Sequence, residues 1–182
     1  MHGDERVLIQ SMTAHVLKGR LRPLRGVGSS VNPLHVPPPV LFTIGYLVGL
    51  VVQLLVPFTF TTVLLPVGVY SIGAILFVVG AGFAGWALWI FHNEHTTTVP
   101  GEKSAKLVTW GPYRFTRNPM YLGLFLFFAG VSMISDSIWS IPPLLVVVYF
   151  LNSTVIVGEE RRLRADFGEE YGRYASKVRR WI

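Results

Sequence analysis

Apolar and polar positions are sharply segregated along this chain. No Asp, Glu, Lys or Arg occurs from Gly26 to Phe91, and from Gly123 to Gly158 Asp136 is the only one. Each zone is long enough for two passages through a bilayer, since one helical passage takes about 20 apolar residues. The pattern predicts spans over about 40–56, 67–91, 120–134 and 138–157. Pro57 and Pro66 bracket an uncharged turn between the first pair, and Ser135-Asp136-Ser137 makes a tight turn between the second. Beyond Glu159 the pattern changes. Leu163, Phe167, Tyr171, Tyr174 and Val178 recur every three or four residues among charges, which predicts an amphipathic helix over 159–178 lying against the membrane face. The expected fold is an all-α integral membrane protein of about four transmembrane helices with this helix appended.

Composition agrees. Hydrophobic residues make up 51% of the chain and charged residues 14%, against roughly 25% charged in a soluble domain. The formal net charge of +6 does not point to nucleic acid, because the cations flank spans and attraction to anionic headgroups accounts for them. Five Lys/Arg fall before the first span, four in the central loop and seven after the last span, with none in the two short turns. All sixteen therefore share one face, which the positive-inside rule makes cytoplasmic, with both termini on that side. Residues 1–37 form a basic lead-in, either an interfacial amphipathic helix over 7–21 or an unordered tail, joined by a Gly/Ser/Pro linker; 38–182 form the membrane domain. The absence of cysteine excludes thiolate-ligated metal. His92 and His95 lack a third or fourth ligand nearby, so no metal site is expected.

Small residues recur at helical spacing inside the spans. Gly45 and Gly49 suit close helix approach within the bundle rather than dimerisation, and Gly80, Gly82 and Gly85 read as helix-packing surface. Gly168 and Gly172 weaken a helix, which implies a packing reason such as close approach to the central loop.

The densest chemistry lies in Thr109–Gly123, T-W-G-P-Y-R-F-T-R-N-P-M-Y-L-G. Gly111-Pro112 makes a turn, Arg114 and Arg117 supply cations suited to clamping a lipid phosphate or carboxylate, and Asn118-Pro119 opens the third span. Proline costs nothing in the first turn of a helix, and the free N–H groups there favour an anion. Glu159 and Glu160 stand where the fourth span ends. A carboxylate beside hydrocarbon is costly unless paired; helix pairs with Arg162 and Arg164 are one outcome, and facing the Asn118–Tyr121 helix start across a crevice is the other. Tyr113 and Tyr121 fit either that crevice or an interfacial aromatic belt.

The run from Glu102 to Gly123, followed about 35 residues later by E-E-R-R-L-R-A-D-F-G-E-E-Y-G-R-Y (Glu159 to Tyr174), resembles the integral membrane methyltransferases. That superfamily comprises the isoprenylcysteine carboxyl methyltransferases and the phospholipid N-methyltransferases. The resemblance covers roughly 98–182. It implies S-adenosylmethionine as methyl donor, with Lys106, Leu107 and Val108 lining its path and Tyr113 beside it. Asn118, Pro119, Met120 and Tyr121 would grip it at the helix start, and Glu159, aided by Glu160, would hold its polar groups. A lipid-soluble substrate would enter from the bilayer. Displacement at a methyl group needs mainly positioning, so no catalytic side chain is assigned. Asn118 stands where the carboxyl-methylating branch usually has His, and 152–158 lacks that branch's arginine; both departures lean toward a phospholipid amine or another small lipid-soluble nucleophile. The alternatives are an isoprenylcysteine-type carboxyl O-methyltransferase, an NADPH-dependent sterol-reductase-like enzyme and a non-catalytic membrane scaffold. The oligomeric state stays open.

Overall fold

The structure, a computed structural model, describes residues 36–94 and 106–182. The expectation of an interfacial helix or unordered tail before Val36 lies outside the described residues, as does His95. Every regular element among the described residues is helical. Helix α1 (Pro38–Leu55) and helix α2 (Pro66–Asn93) each begin with proline in the first turn, where its missing N–H would have no intrahelical acceptor. At 1.5 Å per residue α2 is about 42 Å long, more than the hydrocarbon core of roughly 30 Å. Helix α3 (Pro119–Ile134) leads into a turn at Asp136. A single 3-10 turn (Ile138–Ser140) then opens helix α4 (Ile141–Phe150). Three to four of these apolar stretches are able to cross a membrane.

Two glycine seams hold the bundle together. A Cβ on Gly80 of α2 would lie 2.3 Å from the Phe127 backbone nitrogen of α3, and one on Gly130 of α3 would lie 2.4 Å from that of Phe77. Gly123 is equally tight against Ala84. The two backbones touch, which is how helices associate where burial in lipid offers no hydrophobic drive. Gly49 of α1 abuts Ser140, and Gly45 abuts Pro143 and Val147, so this pair serves internal packing as expected. Gly82 and Gly85 face open space, so of that run only Gly80 is a packing surface.

At the end of the bundle away from Pro119, Asp136 takes a left-handed backbone (φ 53) and accepts hydrogen bonds from the Thr61 backbone nitrogen (3.0 Å) and hydroxyl. This ties the α1–α2 connection to the α3–α4 turn. Beside it Tyr46 Oη donates to Ser135 Oγ at 3.2 Å.

The fourth span differs from its simple expectation. After Phe150 the chain runs through one wide π turn (Leu151–Val155) directly into helix α5 (Ile156–Lys177). Ser153 Oγ donates to the carbonyls of Tyr149 (2.9 Å) and Phe150 (3.2 Å) within this stretch. A hydroxyl competing for helix carbonyls accompanies such local distortions. No separate helix begins at 159. The break comes instead at Gly168, whose φ of 51 and ψ of −120 lie outside helical space. Nothing lies within 4 Å of a Cβ placed on Gly168 or Gly172, so close approach to the central loop is not their reason; backbone conformation is the reason for Gly168.

Candidate active site

Between α2 and α3 the chain makes a 3-10 turn (Gly111–Arg114), entered through Gly111 at φ 62. This turn buries Tyr113 against Phe91 of α2, edge to face with ring centres 5.4 Å apart, next to Val108, Ala87 and Ile90. Tyr113 is 6% exposed. Burial pushes its phenol well above the ordinary range, with Tyr174 and Glu159 adding to the effect, so it stays neutral. Tyr121, in the first turn of α3, is also buried. Neither tyrosine therefore serves as an interfacial belt residue.

The two polar clusters meet at one end of the bundle. Tyr121 Oη donates to Glu159 Oε1 at 2.8 Å. Arg117 Nη1 lies 3.0 Å from Glu160 Oε1 and donates to Tyr171 Oη at 3.2 Å. Neither glutamate closes a pair with an arginine one turn along its own helix, so the i+3 and i+4 pairing of the sequence reading is not what forms. Tyr174 Oη donates to the Tyr113 carbonyl at 2.8 Å, which fastens α5 to the loop before α3.

The segment 178–182 also belongs to this arrangement, a role its sequence does not predict. It turns back from α5 and lies along residues 116–118. The Arg179 carbonyl accepts from the Arg117 backbone nitrogen (3.0 Å). The Arg180 carbonyl accepts from Thr116 Oγ1 (3.0 Å) and from Asn118 Nδ2 (2.8 Å). The Arg180 guanidinium grips both oxygens of Glu160, Nε at 3.0 Å and Nη2 at 2.8 Å. Its Nη1 reaches Asn152 Oδ1 at 3.2 Å, and Trp181 Nε1 donates to the same oxygen at 3.1 Å. One signal was available: Asn152 is a lone amide in a charge-free apolar run, where an unpaired polar group is costly.

Each expected site residue now has a place. Asn118 caps α3 with its backbone but turns its amide to residue 180, and Pro119 is fully buried behind it. Met120 packs on the Tyr113 cluster. Helix geometry leaves the N–H groups of Met120 and Tyr121 without intrahelical acceptors. Glu160 is engaged by two arginines, whereas Glu159 is bonded only through Oε1. Lys106 pairs with Glu94 at 2.7 Å beside the α2 terminus, Leu107 is half-buried, and Val108 is core. Arg117 is turned inward, while Arg114 is exposed.

Apolar helices joined through glycine seams, with a cluster of paired carboxylates, arginines and tyrosines at one end, define a multi-pass integral membrane protein with a polar site at that end. The sequence profile described as "Phospholipid methyltransferase" matches residues 69–170, more than half of the chain, and the protein belongs to that family. It is also similar to curated proteins. A probable protein-S-isoprenylcysteine O-methyltransferase from Oryza sativa subsp. indica is 34% identical over 84 residues, 46% of this chain and 44% of the rice protein. The protein-S-isoprenylcysteine O-methyltransferase of Schizosaccharomyces pombe is 32% identical over 85 residues, 47% of this chain and 36% of the yeast protein. The match thus spans less than half the length of these relatives. No solved structure matches the chain.

Proposed function

We propose that this protein transfers a methyl group from S-adenosylmethionine to a lipid-soluble substrate at the cytoplasmic face of a membrane. The observation that carries the reading is the Tyr121–Glu159 hydrogen bond, which joins the start of α3 to the start of α5 around one polar site. The donor set fits the cofactor. Glu159 Oε2 makes no hydrogen bond among the described residues and suits an ammonium or ribose hydroxyl. The open N–H groups at the start of α3 suit a carboxylate. When bound, S-adenosylmethionine supplies an electrophilic methyl on sulfur, and this chain's residues then have to hold and orient. Tyr121 fixes the Glu159 carboxylate, Tyr113 and Met120 form the apolar wall, and the bundle keeps bulk water from the reacting pair. Lys106, Leu107, Val108, Asn118, Pro119 and Glu160 complete the proposed surround, with Arg114, exposed at the turn before α3, placed to meet a lipid headgroup.

Two substrate classes follow. The family description favours a phospholipid amine or a similar small nucleophile; the named relatives favour the carboxylate of a prenylated cysteine. Incubation of the protein in nanodiscs with methyl-labelled S-adenosylmethionine and either total membrane lipid or a farnesylcysteine analogue distinguishes them, with label expected in one product. Glu159→Gln is expected to lower cofactor affinity at least about tenfold by calorimetry. Unchanged affinity in that variant removes Glu159 from the site.

A further inference from the structure

The two ends of the site do not touch each other alone; the 178–182 segment connects them. On one side its carbonyls take three hydrogens from residues 116–118, immediately before α3. On the other, the Arg180 guanidinium holds both oxygens of Glu160, next to Glu159 in α5. The same guanidinium and the Trp181 indole share Asn152 Oδ1 in the π turn. Three separate stretches of chain are thus fastened to one five-residue segment, around a pairing of Tyr121 with Glu159 that requires α3 and α5 in fixed register.

We propose that Arg180 is a positioning residue for the methyl donor: its carbonyl fixes Asn118, its side chain fixes Glu160, and the two together set the spacing between the start of α3 and Glu159. The assignment rests on the cofactor site proposed above. Arg180 touches none of the reacting groups. It acts through Asn118 and Glu160, and Arg117 shares the second contact at 3.0 Å. Bidentate guanidinium geometry makes the link directional, which an ammonium at the same place would not reproduce. A carboxylate displaced by a fraction of the site's width loses most of its value as a ligand.

The test is S-adenosylmethionine binding, by calorimetry, to the full chain in nanodiscs, with thermal midpoints measured alongside. Arg180→Ala is expected to weaken binding about tenfold, and Arg180→Lys to recover part of that loss. A chain stopped after Lys177 loses the carbonyl acceptors as well and is expected to bind more weakly still. Glu160→Gln combined with Arg180→Ala is expected to lose less than the product of the two single losses, because both changes break the Glu160–Arg180 link and only Glu160→Gln also weakens the pair with Arg117. Wild-type affinity in Arg180→Ala, or losses that multiply in the double variant, overturns the assignment. Should Arg180→Ala fail to fold, Arg180→Lys carries the test: affinity equal to wild type there refutes the need for bidentate geometry. Absence of binding by the wild-type chain refutes the cofactor site itself, a distinct outcome that takes this assignment with it.

Discussion

Tyr121 brings a hydroxyl to the first turn of an otherwise apolar helix, and its 2.8 Å bond to Glu159 shows why the residue is not phenylalanine. A hydrogen bond to a charged group contributes about 2 kcal/mol, and its loss leaves a half-buried carboxylate unpaired. Tyr121→Phe keeps the ring in the core it shares with Phe42 and Leu144 while removing that one bond. The expected outcome is a folded protein with a lower thermal midpoint and weaker S-adenosylmethionine binding; binding and midpoint equal to wild type would show that the pair serves neither purpose. Asn118 illustrates the limit of reading residues singly. Its amide looks available at a helix start, yet it is committed to the Arg180 carbonyl, 62 residues away in sequence.

At the scale of elements, the pairing of α2 with α3 depends on backbone contact at Gly80, Gly123 and Gly130. A methyl at Gly80 meets main-chain atoms, which cannot turn aside as a side chain would, so overpacking of about 3 kcal/mol is expected. Gly82 lies in the same helix with open space around it, and an added methyl there raises helix propensity by up to about 1 kcal/mol. Thermal midpoints in detergent should therefore fall for Gly80→Ala and hold or rise for Gly82→Ala. Equal effects would mean that the two helices do not pack as described. The sequence supplied glycines at helical spacing but not which of them face a neighbour, because lipid and a partner helix are equally apolar.

For the whole molecule, the polar site and the Asp136–Thr61 tie lie at opposite ends of the bundle. With the cations crowded at the site end, that end is the proposed cytoplasmic one. The chain contains no cysteine, so a single introduced thiol reports topology cleanly. Ser176→Cys is expected to react with a membrane-impermeant maleimide only when the cytoplasmic face is open to it, and Thr62→Cys only from the other face. Labelling of both from one side would contradict four passages.

Hydropathy along the chain determined the helical class, the approximate spans and the two clusters where chemistry gathers, because excluding charge from hydrocarbon is a local demand that each segment meets by itself. Tertiary structure alone decided how those clusters are joined. The Glu160–Arg180 grip, the shared acceptor at Asn152 and the inward turn of Arg117 are contacts between segments 20 to 54 residues apart. The same is true of the uninterrupted run from the last span through the π turn to Gly168, where a predicted boundary at Glu159 does not exist. Hydrogen bonds of that reach depend on where the folded backbone brings donors and acceptors together, and no periodicity along the chain records it.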